Sequence, residues 1–193
     1  MPTLEGRLVR LQQLLPEHAV ELLATVDPEV WRWKLAPYPS TAEEMRQIIR
    51  AHLIGSSGDR QAFLATRRAD GMVLGSTTLY DFDRYHERVE MGWTWLARSA
   101  WGQGYNEDMK YQLLRHCFEV MGVKRVAWRL DSLNTRSRDS LERQGFRYEG
   151  RLRSHLRRPD GTRRDSLYYS LLADEWPEVG PKILELVERR SAR

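Results

Sequence analysis

The residues that most invite a ligand are Trp101-Gly102-Gln103-Gly104-Tyr105-Asn106, placed just before a helix-forming stretch that opens at Glu107. Glycines let a backbone approach a ligand closely. The free N–H groups of a helix start favour phosphate oxygens. The segment is therefore a candidate pyrophosphate cradle, and it reads equally as a tight turn with Asn106 as N-cap. Glu107 and Asp108 suit the helix dipole but would repel a phosphate set against them. Two other nucleotide cradles are excluded. A Walker loop needs a lysine and a hydroxyl residue after its last glycine, and here Tyr105-Asn106-Glu107 follow. A dinucleotide fingerprint needs a third glycine where Glu107 stands. The histidines show no metal-ligand spacing. The lone cysteine, Cys117, falls on an apolar helix face and reads as a packed thiol.

Several elements must position this turn. Gly6 to Leu15 reads as a strand, and Pro16 suits the first turn of a helix to about Thr25. Asp27 to Pro39 is a break carrying Pro28, Pro37, Pro39 and the aromatics Trp31, Trp33 and Tyr38. Ser40 and Glu43 have capping-box spacing for a helix through Leu53, which Gly55 to Gly58 end. Gln61–Thr66 and Met72–Tyr80 form a hairpin around Ala69-Asp70-Gly71. Arg88 to Leu96 is a strand, with Val89, Met91, Trp93 and Trp95 on one face and Glu90, Gly92, Thr94 and Leu96 on the other. A helix spans about Glu107 to Met121, a strand Arg125 to Leu130, and a helix Asn134 to Gln144 that Gly145 ends. A second hairpin, Phe146–Leu156 with Arg164–Leu171, and a terminal helix, Trp176 to Arg189, complete the chain. Strand, glycine turn, helix, strand is a crossover that makes its two strands parallel neighbours. The other strands are mostly hairpin-linked. The expectation is an α/β (α+β) domain: a mixed, mostly antiparallel sheet with a central parallel pair and flanking helices.

The 193 residues suit one core, so residues 1–193 are read as a single domain. The chain is 41% hydrophobic and 30% charged, as a folded globular protein is. It has no apolar run of membrane-span length, and its charged first residues lack a signal-peptide core. With one cysteine, a reducing cytoplasm is the expected setting. Net charge is +4, and the densest basic stretch, Arg147 to Arg164, reads as an anion-attracting surface or as a solvated arginine-rich hairpin, the second being preferred.

An ordered set of short motifs resembles a known family. It comprises Glu90-Met-Gly-Trp-Thr-Trp-Leu96, Trp101-Gly-Gln-Gly-Tyr-Asn-Glu107, Leu114-Arg-His-Cys-Phe-Glu119, Arg125-Val126, Asp131-Ser-Leu-Asn134 with Ser137, Gln144-Gly-Phe146, Glu149-Gly150 and Arg164-Asp165. In order and spacing this set, which spans about Gly6 to Trp176, is similar to the GNAT superfamily. It is most similar to the branch of ribosomal-protein-alanine acetyltransferases of the RimJ/RimL type. The resemblance implies a splayed parallel pair, Arg88–Leu96 and Arg125–Leu130, with the pantetheine arm of acetyl-CoA in the gap. It implies that Trp95, Leu96 and Ala97 meet pantetheine. Gln103, Gly104, Tyr105, Asn106 and Glu107 would form the phosphate loop, and Asn134 would hold the cofactor from the next turn. The sequence departs from the family in three places. Trp101 stands where Gln or Arg is usual, and Asn106 where Gly or Ala is usual. Leu141 stands where many members carry a general-acid tyrosine. RimL-like members offer instead a serine three residues after the asparagine, here Ser137.

The activity so implied is transfer of an acetyl group from acetyl-CoA to a primary amine, on a protein or peptide N-terminus or a small molecule, by direct attack in a ternary complex without a metal. The amine must lose a proton, the thioester carbonyl must be polarised, and the leaving thiolate is helped by a proton. Glu90 is the candidate base, against an exposed strand carboxylate paired with a basic neighbour. Ser137 is the candidate donor to the thiolate, against an ordinary first-turn serine. His155 is a further base candidate. In this family the segment between the first two helices lies beside the acetyl end, so Trp31, Trp33 and Tyr38 are read as walls of the amine pocket or as a cap on the core beneath. A CoA-binding module with little catalysis is the alternative. RNA binding through Arg147–Arg164 is the third reading, and neither nucleic acid nor membrane is an expected partner. A homodimer is left open.

Overall fold

The computed structural model describes residues 1–54 and 60–191. The helix stop expected at 55–58 lies outside the described residues. Eight strands form one sheet: β1 (Leu4–Glu5), β2 (Val9–Gln13), β3 (Gln61–Arg67), β4 (Val73–Asp83), β5 (Arg88–Leu96), β6 (Arg125–Asp131), β7 (Arg147–Arg157) and β8 (Arg163–Leu172). Their order is β1-β2-β3-β4-β5-β6-β8-β7. Every neighbouring pair is antiparallel except β5 and β6.

Helices cover both faces. α1 (Ala19–Leu23), α2 (Pro28–Trp31) and α3 (Ala42–Ile54) lie on one. Their Leu22, Val30, Trp31, Met45 and Ile49 pack with Leu64 and Trp95 of the sheet. On the other face α4 (Tyr105–Arg115), α5 (Thr135–Arg143) and α6 (Trp176–Ser191) bring Met109, Leu113, Leu141 and Ile183 onto Phe63, Val89, Met91 and Val126. Ala62 and Leu64 face one helix layer and Phe63 and Ala65 the other, the period-two pattern of a strand buried on both faces.

Four local expectations are corrected. The break at Asp27–Pro39 contains the helical turn α2, because Pro28 occupies its first position, where proline is tolerated, and Asp27 caps it through Val30 N–H at 2.8 Å. The capping box before α3 is Thr41 with Glu44 rather than Ser40 with Glu43. The Glu44 N–H donates to the Thr41 hydroxyl at 3.2 Å, and the Glu44 carboxylate accepts the N–H groups of Ser40 and Thr41. α4 starts at Tyr105 with Gly104 as its cap in the left-handed region (φ 87°), so Asn106 is inside the helix. Beyond Arg115 this helix widens into a π turn, His116–Val120.

The fourth correction matters most for the site. The alternation in β5 breaks at a bulge, where Ser76 pairs Trp95 but Thr78 pairs Gly92, and Trp93 has φ 52°. Val89, Met91 and Leu96 therefore face α4, while Trp93 and Trp95 pack against the α1–α3 layer. Glu90, directly opposite Tyr80 in the ladder, is on that same second face rather than opposite the tryptophans.

Candidate active site

The parallel pairing of β5 with β6 lasts three residues, Arg88–Glu90 against Arg125–Ala127. Beyond it β5 stays with β4 and β6 with β8, so the two strands part. A cleft of about 910 Å³ occupies the gap and passes from the glycine turn on one side to the α2–α3 side on the other.

The glycine-turn half is built around the start of α4. Gly102 and Gly104 both have positive φ, 79° and 87°, which glycine adopts without strain. A Cβ on Gly104 would lie 3.3 Å from the Val187 carbonyl of α6, so α6 closes over this turn. Asp108 points away from the cleft and accepts the N–H groups of Arg7, Leu8 and Val9 at 2.8–3.2 Å, tying the β1–β2 turn to α4. Glu107 is buried and faces the cleft, with Arg190 at 3.4 Å and Arg143 at 3.8 Å. Lys110, one turn further along α4, is buried over the Phe146 ring at 5.5 Å, and burial lowers its pKa to about 8. Arg136 lies 3.6 Å over the Trp101 ring, and the Trp101 indole N–H donates to the Leu96 carbonyl at 2.9 Å. Asn106 donates to the Ser140 hydroxyl at 2.9 Å, which joins the first turn of α4 to the second turn of α5. Asn134 caps α5 by accepting the Ser137 N–H at 3.1 Å. Both Asn134 and Ser137 line the cleft. A diphosphate ester fits such a place: two left-handed glycines, the positive end of an eleven-residue helix, and Lys110, Arg136, Arg143 and Arg190 around a single carboxylate.

The other half lies under α2 and the loop after it. Lys34 is half-buried, its ammonium donating to the Thr94 carbonyl at 2.7 Å beside the β5 bulge and lying over the Trp95 ring at 4.9 Å. Burial, and then Arg164, lower its pKa to about 7. His52 stacks on Trp93 with ring centroids 4.1 Å apart and shares a 2.8 Å hydrogen bond with Thr78. Burial, Arg60 and Lys34 push its pKa down to about 3, so it is neutral near pH 7. Tyr80 lies across Gly92, where any Cβ would meet its phenol at 2.8 Å. Burial raises its pKa, and Glu90 adds to the effect.

Of the expected site residues, Trp95, Leu96, Asn106, Glu107, Asn134, Ser137 and Trp33 line the cleft. Ala97, Gln103, Gly104 and Tyr105 do not line it: the Ala97 N–H donates to the Leu74 carbonyl, the exposed Gln103 amide donates to the Ser99 carbonyl, Gly104 caps α4, and the Tyr105 ring is in the core. Glu90 sits just beneath the cleft, 3.7 Å from Arg129, with Oε2 buried and without a hydrogen-bond partner. His155 lies near it, its buried Nδ1 also without a partner; burial, Arg129 and Arg164 lower its pKa. Trp31 is in the core, donating to the Ala36 and Pro37 carbonyls at 3.0 and 2.8 Å. Tyr38 is exposed on the surface. The sequence reading did not single out Lys34, Lys110, Arg143 or Arg190. A lone lysine in an aromatic segment, Trp33-Lys34, was the available signal for the first.

Comparison with known proteins agrees with this geometry. Residues 8–147 match the model of the acetyltransferase (GNAT) domain. The chain is 30% identical over 161 residues to a Bacillus subtilis (strain 168) protein provisionally named ribosomal N-acetyltransferase YdaF, covering 83% of this chain and 87% of that one. A crystal structure from T. thermophilus, provisionally described as an acetyltransferase, superposes with a TM-score of 0.88 at 35% identity, over 96% of this chain and 97% of that one. Mycobacterium smegmatis RimJ, in complex with CoA-disulfide, shares the fold with a TM-score of 0.80 at 22% identity, over 98% and 95% of the chains. The cleft between parting strands, the glycine turn at a helix start and these matches converge: the chain belongs to the GNAT family and is a GNAT-type N-acetyltransferase.

Proposed function

We propose that this enzyme moves an acetyl group from acetyl-CoA to a primary amine by direct attack while both substrates are bound. The observation that carries the proposal is the continuity of the cleft. One opening joins a phosphate-binding half, on the α4 face of the sheet, to an aromatic and polar half beneath α2. Acetyl-CoA supplies the activated acyl group. The glycine turn, Lys110, Arg136, Arg143 and Arg190 would hold its phosphates, Trp95 and Leu96 would border its arm, and Asn134 would fix the arm from the start of α5. The aromatic half would take the acceptor, with Trp33 as its wall. The name of the Bacillus subtilis relative supports a protein N-terminus as one acceptor class; a small amine fits a cleft of this size equally well.

A covalent acetyl-cysteine route has little support. The only thiol, Cys117, is fully buried, and burial raises its pKa to about 12. For direct attack, Glu90, whose buried Oε2 makes no hydrogen bond and lies 3.7 Å from Arg129, can take the amine proton through a water. Ser137, at the first turn of α5, can donate to the departing thiolate. Lys34, held at the β5 bulge, adds positive charge where the parting strands open.

Thiol release measured with varied acetyl-CoA and a panel of amines tests this reading. Amine-dependent release with intersecting double-reciprocal lines is the expected result; parallel lines, or release indifferent to every amine, would overturn it.

A further inference from the structure

Arg164 is distinguished by what it lacks. It reaches the cleft from β8 with its side chain only 7% exposed, and its buried Nε has no hydrogen-bond partner. Its ion-pair contact among the described residues is Asp131, at 3.9 Å. That carboxylate is already engaged, accepting two hydrogen bonds from Arg158 at 2.8 and 3.0 Å and the Leu133 N–H at 3.0 Å. A buried guanidinium left this way is strongly unfavourable until an anion completes it. Nearby, Arg32, Lys34, Arg60 and Arg129 also line the cleft, while of the other carboxylates Glu29 on its wall pairs with Arg98 at 3.4 Å and Glu90 lies against Arg129. This half of the cleft therefore carries an excess of positive charge.

The phosphates of acetyl-CoA do not account for that excess. They have their own cations at the start of α4, on the opposite face of the sheet. We propose that Arg164, with Lys34 beside it, binds a carboxylate or phosphate of the acceptor, so that the favoured acceptor is an amine that also carries an acid. The inference rests on the acetyl-transfer reading above and names its substrate class. The fork of a guanidinium suits a planar or tetrahedral oxyanion, and Lys34, fixed by the Thr94 carbonyl, supplies a second point of attraction. The same charges disfavour a polyamine or a lysine-rich peptide.

The test compares matched acceptors by thiol release: glycylglycine with its C-terminal amide, O-phosphoethanolamine with ethanolamine, and spermidine. We expect the acid of at least one pair to exceed its neutral partner about tenfold in kcat/KM, the scale of one hydrogen bond to a charged group. The pair with the larger ratio identifies carboxylate or phosphate. Arg164→Gln should bring the ratio close to one through KM. If that variant fails to fold, Lys34→Gln should lower the ratio severalfold. Preference for spermidine or the neutral members, or ratios unchanged in the variant that folds, would overturn the proposal. Absence of turnover with every amine would instead refute the acetyl-transfer reading, and the anion site would then be read from melting in the presence of CoA. There the acids should raise Tm in the wild type more than their neutral partners do, and equal shifts would remove the site.

Discussion

Trp31 and Trp33 are two residues apart, and their replacement by alanine should have opposite signatures. Trp31 is 3% exposed; its ring meets the edges of Trp93 and Trp95 at 6.0 and 5.3 Å, and its N–H serves two carbonyls. Truncating a buried tryptophan costs about 3–5 kcal/mol, and the lost hydrogen bond adds about 1 kcal/mol. The sum, about 4–6 kcal/mol, corresponds in a chain of this length to a fall in Tm of about 8–24 °C. Trp33 is half-buried on the cleft wall, its other face covered by Arg32 at 4.9 Å. Its loss should cost about 1 kcal/mol or less in stability, and raise KM for the amine about tenfold while the Kd of acetyl-CoA holds. Thermal melting of both variants, paired with amine saturation curves at fixed acetyl-CoA, makes the comparison. A Trp33→Ala variant with unchanged amine KM would refute the wall assignment. A Trp31→Ala variant that melts like the wild type would refute the packing argument.

Three further outcomes are expected. Gly104→Val forces a branched side chain into the left-handed region, 3.3 Å from the Val187 carbonyl, and should weaken acetyl-CoA binding about tenfold or more by calorimetry, while Gly102→Ala, which points into open space, should be milder. Glu90→Gln should lower kcat by about a hundredfold or more with acetyl-CoA binding kept, and Ser137→Ala should lower it less, since water can replace the hydroxyl; wild-type turnover in the first would move the base role to His155 or to water alone. Lys34 has a folded pKa of about 7, below its unfolded value, so its charged form destabilises the fold fully below pH 7 and the penalty is relieved as pH rises from about 7 toward 10.5. Lys34→Met should therefore raise Tm most below pH 7 and progressively less above it, and a gain independent of pH would contradict the buried ammonium.

The sheet, its parallel pair and the order of its elements were legible because long apolar periodicities and glycine turns dominate those choices. The bulge in β5 was not. Nothing in Met91-Gly-Trp-Thr-Trp95 marks the residue that takes φ 52°, because the ladder to β4 and the packing of three tryptophans decide it. One inserted residue then moved Trp93 and Trp95 to the face that Glu90 occupies. The cap of α4 was misjudged for a related reason: Asn106 has the side chain of a cap, but its amide serves Ser140 on another helix, and only tertiary contact reveals that. The cations of the cleft come from α4, α5, α6, β6, β8, the residue before β3 and the loop after α2, and each looks like a surface charge until the fold turns it inward. Arg164 was visible as part of a motif, yet its missing partner is a property of the assembled site.

The arginine-rich strand β7 forms one border of the sheet, and its far backbone row has no neighbouring strand among the described residues. Such a border can recruit a strand from another molecule and begin aggregation. Here Arg147, Arg151, Arg153 and Arg157 line it, and the pairing to β8 slips between Leu152 and Leu156, where Ser154 takes φ 51°. The Ser154 N–H is held by Asp165 and its carbonyl by Arg163, so at the kink the main chain offers little to an incoming partner. Arg147 and Arg151 are paired with Glu175 and Asp165, so the bend midway and the charges of Arg153 and Arg157 are what oppose edge-to-edge pairing. The border strand β7, part of the basic stretch that first suggested a nucleic-acid surface, thus carries arginines whose placement at a sheet edge has a physical reading without nucleic acid.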